Sequence, residues 1–300
     1  MSQNISEETL LIWSKGPSPT ESAKAENAES VICDALNADA ALAKLNIRVF
    51  AQGSYRVRTN VRQDSDVDIC VLAKDFMFCE YPSGYSQSDF GIYDASYSFR
   101  EFKDEIELAL IRRFGKSGVT RGNKAFDVHA NTYRLDADVV PAFEHRRYTN
   151  GPEVDPNFLS GTQFFADDGK KVINWPEQSY QNGVLKNAST SRRYKRVIRI
   201  LKRLRNRMQE ENIVAAKDVG SFLIESLVWN VPDNAFSSAR YTDNVRSVLA
   251  RIIVETENQD KCNEWGEVNE LKYLFRPLQP WSRQQARDFV LAAWIYIGLS

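Results

Sequence analysis

Apolar residues change their spacing along this chain, and the changes mark its elements. Residues 20–45 (TESAKAENAESVICDALNADAALAKL) are rich in Ala, Glu and Leu with no internal Gly or Pro, which predicts a helix. The pattern then turns β-like in IRVFAQGS (47–54) and again in DVDICVLA (66–73). The polar linker between them, 55–65, is long for a tight hairpin and reads as an exposed loop or short helical turn. Residues 81–95 read as an irregular insertion. Residues 96–115 return to helical spacing, with Phe102, Ile106, Leu108, Leu110 and Ile111 as apolar positions. KAFDVHAN (124–131) and RLDADVVPAFEH (134–145) alternate like paired strands, the second expected to end at Pro141.

The polar segment 144–192 holds short β-like pieces and turn signals at Asn150-Gly151-Pro152 and Asn182-Gly183. Beyond it the pattern is helical. Val197, Ile198, Leu201, Leu204 and Met208 form one stripe, and helical blocks follow at 221–231, 242–258 and 282–298. Ser282 with Gln285 predicts a capping box at the last of these. The layout is a mixed α/β half followed by a helical half, without repeats or low-complexity tracts.

Composition narrows the classes. The 300 residues are 43% hydrophobic and 26% charged, as in a globular protein able to bury a sizeable core. The formal net charge of −1 implies no broad electrostatic hold on nucleic acid. Cys33, Cys70, Cys79 and Cys262 show no CxxC pairing, and His129 and His145 are the only histidines, so zinc sites and His-based nucleophilic chemistry are disfavoured. The start lacks a signal-peptide pattern, and the longest apolar run, 289–299, is too short to span a bilayer. A cytoplasmic protein with free thiols and no membrane partner is expected.

Packing does not explain the aspartates in GSYRVRTNVRQDSDVDI (53–69). In a strand, Asp66 and Asp68 point to one face while Val67 and Ile69 point to the other. Adjacent carboxylates repel, and a bound Mg²⁺ removes that cost. Asp136 and Asp138 repeat the spacing in RLDADVVP. If the two strands lie side by side, three carboxylates converge, as in sites holding two divalent ions about 4 Å apart for phosphoryl or nucleotidyl displacement. Asp64 reads as a solvated loop residue, with a third-ligand role as the alternative, and Asp136 as a secondary ligand. Gly53-Ser54 offers a backbone that approaches phosphate closely, plus a hydroxyl donor.

The combination GSYRVRT…SDVDI…DADVVPA resembles the polymerase-β-type nucleotidyltransferase superfamily. Within it, the chain resembles the bacterial cGAS/DncV-like nucleotidyltransferases, anti-phage signalling enzymes that make cyclic oligonucleotides. The likeness continues through residues 174–206, SFLIESLVWNVP (221–232) and LKYLFRPLQPWSRQQARDF (271–289). The resemblance implies an α+β fold: a polymerase-β-like core with a mixed sheet flanked by helices over 1–190, beginning with a long N-terminal helix. A C-terminal helical lobe over 191–300 would close the nucleotide cleft.

It further implies that Asp66 and Asp68 hold two Mg²⁺ ions, with Mn²⁺ as a substitute. Asp138 would be the third acid and metal ligand, assisting the attacking ribose hydroxyl. Gly53, Ser54, Lys202 and Ser221 would contact the donor triphosphate. Ser221 also follows Gly220 at an expected helix start, where free N–H groups favour phosphate. Lys195, Arg199 and Lys202 form a basic stripe that is otherwise a solvated helix face. Arg56, Arg58 and Arg62 read as solubilising or as phosphate contacts; Trp175 and Tyr180 as packing or base-stacking; Asn174 and Gln178 as residues within reach of a base edge.

The implied partners are nucleoside triphosphates and regulatory proteins of a defence operon (CBASS), with no DNA activator and a monomeric state. The rival readings are an open-ended transferase acting on RNA, protein or a small acceptor, and an inactive nucleotide-binding module. The presence of Asp66, Asp68 and Asp138 argues against the second.

Overall fold

The computed structural model describes residues 4–61, 66–154 and 157–299. Its first half runs α1 (Glu7–Ser14), α2 (Pro19–Asn37), β1 (Ile47–Ala51), α3 (Gly53–Val57), β2 (Val67–Glu80), α4 (Phe99–Phe114), β3 (Val119–Arg121), β4 (Phe126–Val128) and β5 (Ala137–Tyr148). It continues β6 (Phe158–Phe165), β7 (Lys171–Asn174), α5 (Pro176–Ser189), α6 (Arg193–Glu210), α7 (Ser221–Trp229), α8 (Tyr241–Glu255) and α9 (Arg283–Ile297). Arg62, Asp64 and Ser65 lie outside the described residues.

The chain divides into two units. The strand unit contains 18–56 and the described residues of 65–176; the helical unit contains 4–17, 57–61 and 177–299. The division is therefore not a single cut at 190. The first helix and the stretch after α3 belong with the C-terminal helices, because Ile5 and Leu10 are buried in the same apolar cluster as α6 to α9.

In the strand unit a seven-stranded mixed sheet runs β1-β2-β5-β4-β3, with β6 pairing β5 and β7 pairing β6. The β2–β5 pair is parallel and the others are antiparallel. Val67, Ile69, Val71, Ala137, Val139, Phe126 and Val128 share a core with Ala28 and Ile32 of α2 and Phe102 and Ile106 of α4. Because strand side chains alternate, these residues commit one sheet face to the helices. Asp68, Asp127 and Asp138 fall on the other face.

Pro141 does not end its strand. Asp136 O accepts the Val67 N–H at 2.9 Å, so alternate residues from Asp136 direct their backbone groups toward β2. Pro141 has the opposite parity. It lies between the β4 ladder, which stops at Val139, and the β6 ladder, which starts at Phe143. Its missing N–H therefore faces a stretch of β5 with no strand beside it.

Other boundaries also differ from the sequence pattern. α2 ends at Asn37 because Asp39 turns its carboxylate onto the Ala41 and Leu42 amides, and Leu42–Lys44 forms a separate 3₁₀ turn. Asn182-Gly183 is no turn: it lies inside α5, with Gly183 buried and the Asn182 amide donating to Val268 O. Ser282 caps α9 by accepting the Gln285 N–H, but the Gln285 side chain donates to Asp218 O instead of completing the box. The helical unit packs the predicted stripe of α6 against Leu223 and Leu227 of α7, Leu249 of α8 and Phe289 of α9.

Candidate active site

The parallel register sets Asp68 directly opposite Asp138, and the antiparallel register sets Asp127 of β4 opposite Asp138 on its other side. Three carboxylates thus form one row across β2, β5 and β4. Asp66, exposed, immediately precedes β2. Asp136 serves the backbone instead, since its Oδ1 accepts the Ala130 N–H at 2.6 Å and so fixes the approach to β5. Asp127 was missed in the sequence. Its signal was the F-D-V alternation at 126–128, the same apolar-acid-apolar pattern as V-D-I at 67–69.

The row is electrostatically loaded. Burial, then Asp66, Asp127 and Asp136, hold the Asp138 carboxyl above the usual range. Although Asp66 is exposed, partial desolvation, then Asp136 and Asp127, do the same for it. Such a group costs energy when ionised and gains from a cation.

Gly53 opens α3 beside this row. Its φ is +58°, and a Cβ there would collide with Asp68 Oδ2. The Gln52 N–H donates to Asp68 O at 2.8 Å, joining the loop to the acid strand. Both the left-handed backbone and the absent side chain are therefore required. Ser54, half-buried, follows within α3.

The donors present are hard carboxylate oxygens, the type Mg²⁺ and Mn²⁺ take. Among the described residues no three His, Cys, Asp or Glu side chains stand so as to hold one metal ion. Mg²⁺ takes one or two carboxylates and fills its shell with water and substrate phosphate oxygens. The residues fit such an ion.

The helical unit holds the other candidates. Ser221 begins α7, half-buried, and its hydroxyl accepts from Arg205 Nη2 at 3.1 Å. Arg205 also donates to Val219 O at 2.5 Å. This buried cation was not singled out in the sequence, where it is one of several arginines on α6.

Lys202 is not on a solvated face. It is 0% exposed, with Nζ 2.7 Å from Glu225 Oε1 as an ion pair, without the alignment of a hydrogen bond. A phosphate contact would require that pair to open. Arg199 is also spent internally, donating from Nε to Ser14 O at 2.7 Å and from Nη1 to Arg58 O at 2.6 Å. Burial, then Arg196 and Arg203, lower its pKa to about 10. Lys195 is 9% exposed; burial holds its ammonium below the usual lysine range, against the pull of Glu225.

The aromatic and amide candidates divide. Trp175 is core: 1% exposed, edge-on to His145 at 5.3 Å and covered by the Arg147 guanidinium at 4.7 Å. Asn174 ends β7 opposite Thr162. Gln178 and Tyr180 are half-buried on α5. Arg56 lies over the Phe50 ring at 5.3 Å.

Residues 181–298 match the cGAS/DncV-like nucleotidyltransferase C-terminal helical domain. The whole chain is similar to a cyclic dipyrimidine nucleotide synthase, CdnE, of Legionella pneumophila, at 46% identity over 296 residues covering 97% of each protein. A cyclic dipurine nucleotide synthase of Elizabethkingia meningoseptica is 40% identical over 300 residues, 98% of this chain and 99% of that one. The structure of the Elizabethkingia meningoseptica CdnE cyclic dinucleotide synthase with GTP and Apcpp superposes with a TM-score of 0.81 at 38% identity, covering 98% of this chain and 100% of that one.

Proposed function

Since this chain belongs to the cGAS/DncV-like nucleotidyltransferases, we propose that it joins nucleoside triphosphates, without a template, into a cyclic di- or trinucleotide with release of pyrophosphate. The observation that carries the reading is the in-register Asp68–Asp138 pair beside the Gly53 turn. Near-full-length relatives named as cyclic dinucleotide synthases support it.

In this reading Asp66 and Asp68 would hold divalent metal, Mg²⁺ with Mn²⁺ as substitute, and Asp138 would complete a second position. Held by these carboxylates, such an ion would supply neutralisation of phosphate charge and acidification of the attacking hydroxyl. Gly53 and Ser54 receive the donor triphosphate through backbone N–H and hydroxyl. Ser221 and Lys202 are assigned to the same triphosphate by the family resemblance, Lys202 after release from Glu225.

Asp138 accepts the proton of the ribose hydroxyl, a general-base role open to a carboxylate held in the row beside Asp68. The hydroxyl oxygen bonds to the α-phosphorus, and the bond from that phosphorus to the bridging oxygen breaks, expelling pyrophosphate. A second transfer on the linear intermediate closes the ring. The helical lobe, placed at 191–300 from the sequence, is proposed to serve nucleotide binding. A monomeric cytoplasmic enzyme signalling in anti-phage defence (CBASS), with operon-encoded regulators and no DNA activator, is the wider setting the resemblance supports.

The relatives' names divide between pyrimidine and purine products, so the test offers all four nucleoside triphosphates with Mg²⁺ or Mn²⁺. Products are treated with phosphatase and weighed. A resistant product of cyclic mass, absent from Asp66→Asn/Asp68→Asn, is the expected result. Phosphatase-sensitive linear products alone would favour the open-ended transferase.

A further inference from the structure

The stretch that follows α3 is buried in an unusual way for a polar loop. Thr59, Asn60 and Val61 are 1%, 0% and 1% exposed, and they belong to the helical unit although α3 begins in the strand unit. Specific polar contacts hold the stretch. Arg58 sits at φ +57°, and its carbonyl accepts from Arg199 Nη1 at 2.6 Å. Arg199 is itself fixed by its Nε bond to Ser14 O at 2.7 Å. Thr59 Oγ1 donates to Glu225 Oε1 at 2.6 Å, the oxygen that also faces Lys202 Nζ at 2.7 Å.

A buried ion pair is seldom the most stable choice for a core, because apolar residues of the same volume do as well or better. Its retention here has a consequence along the chain. Thr59 lies five residues after Ser54, and α3, Gly53–Val57, connects them. A helix this short acts as a stiff spacer of about 7 Å. Any shift at Arg58 and Thr59 therefore passes to Ser54 and Gly53, and contacts to a reacting phosphate tolerate little displacement.

We infer that Thr59, Glu225 and Arg199 form a clamp that positions the Gly53-Ser54 loop for nucleotide binding, with Lys202 balancing the charge of Glu225 before a nucleotide binds. These are positioning residues acting through Ser54. The inference rests on the reading of Gly53-Ser54 as a phosphate-contacting loop.

The test is a double-mutant cycle on the full-length chain, with KM and kcat for nucleoside triphosphate measured alongside the melting temperature. Thr59→Val keeps the shape and removes the donor; Thr59→Ser keeps the donor. Thr59→Val is expected to raise KM about tenfold, the usual weight of a hydrogen bond to a charged group. Thr59→Ser should stay within about twofold of wild type. In a Ser54→Ala background, Thr59→Val should add less than about twofold, because both changes act on the same contact.

A lower melting temperature with unchanged KM, or a full tenfold effect on top of Ser54→Ala, would overturn the clamp. If Ser54→Ala alone changes nothing, the phosphate-loop reading fails and the clamp with it. If Ser54→Ala is impaired and Thr59→Val is not, only the clamp fails. Should Thr59→Val not fold, Thr59→Ala enters the same cycle with the same expected outcomes.

Discussion

Asp68 fills the space that any side chain on Gly53 would need: a Cβ placed there meets the Asp68 carboxylate, and the Gly53 backbone is left-handed at φ +58°. The turn and the acid strand are thus one construction. Gly53→Ala must displace Asp68 or bend the turn. Its kcat/KM should fall by about 100-fold or more, consistent with the cost of misplacing a reacting group. The melting temperature should fall by only a few degrees, since the strain of one left-handed alanine is about 1 kcal/mol. Steady-state kinetics and thermal melting of the same preparation check both.

The acid row predicts an opposition between activity and stability. Asp138 has a raised pKa in the folded chain, from burial and then Asp66, Asp127 and Asp136. The folded state therefore binds this proton more tightly than the unfolded state, so the stability it contributes is present at acid pH and is lost as pH rises through the folded pKa. At neutral pH without divalent metal, Asp138→Asn should raise the melting temperature, by about 1–3 °C. Activity should fall about 10³-fold, the weight of a lost general base. A lower melting temperature in Asp138→Asn would show that the row is not repulsive.

Lys202 and Glu225 give a third expectation. Removing one partner leaves a buried charge alone, so Lys202→Met should destabilise the helical unit by about 3–5 kcal/mol. Lys202→Met/Glu225→Gln should recover most of it. Urea unfolding measures the recovery. Binding of a non-hydrolysable triphosphate to the double variant, compared with Glu225→Gln alone, then separates roles: weaker binding in the double variant supports a phosphate contact by Lys202, and equal binding removes it.

His145 predicts a pH slope in stability. It is 1% exposed, its Nδ1 pairs with Gln163 Oε1 at 2.9 Å, and burial holds its pKa below the usual 6.5 despite Glu80 nearby. The unfolded chain then binds a proton that the folded one resists. Stability from this group is intact above pH 6.5 and declines as pH falls below it. Chemical denaturation between about pH 7.5 and 5.5 should show that decline in the wild type and a shallower one in His145→Gln.

The side-by-side placement of Asp68 and Asp138 was legible in sequence because a two-residue period fixes which side chains share a sheet face. Asp68 and Asp138 needed only strand identity and a partner, which the parallel register supplied; Asp66 lies just before β2, outside that register. Asp127 was missed although 124–131 and 134–145 read as paired strands, because alternation alone does not give the register that sets it opposite Asp138. Pro141 misled because its cost depends on which neighbour is missing, a fact of topology rather than of composition. Lys202 misled for the converse reason. Helical spacing put it on a stripe with Lys195 and Arg199, but burial was decided by Glu225, a residue on another helix.

If the acids around Asp68 join nucleotides into a closed ring, the stoichiometry of pyrophosphate reports it most directly. Radiolabelled nucleoside triphosphates are supplied, and pyrophosphate released is counted against nucleotide incorporated, for wild type and Asp68→Asn. A ring closes every linkage, so one pyrophosphate is expected per incorporated nucleotide, and none above background from Asp68→Asn. A ratio near one half, the value for a linear dinucleotide that keeps its triphosphate end, would contradict ring closure; turnover in Asp68→Asn equal to wild type would contradict the site itself.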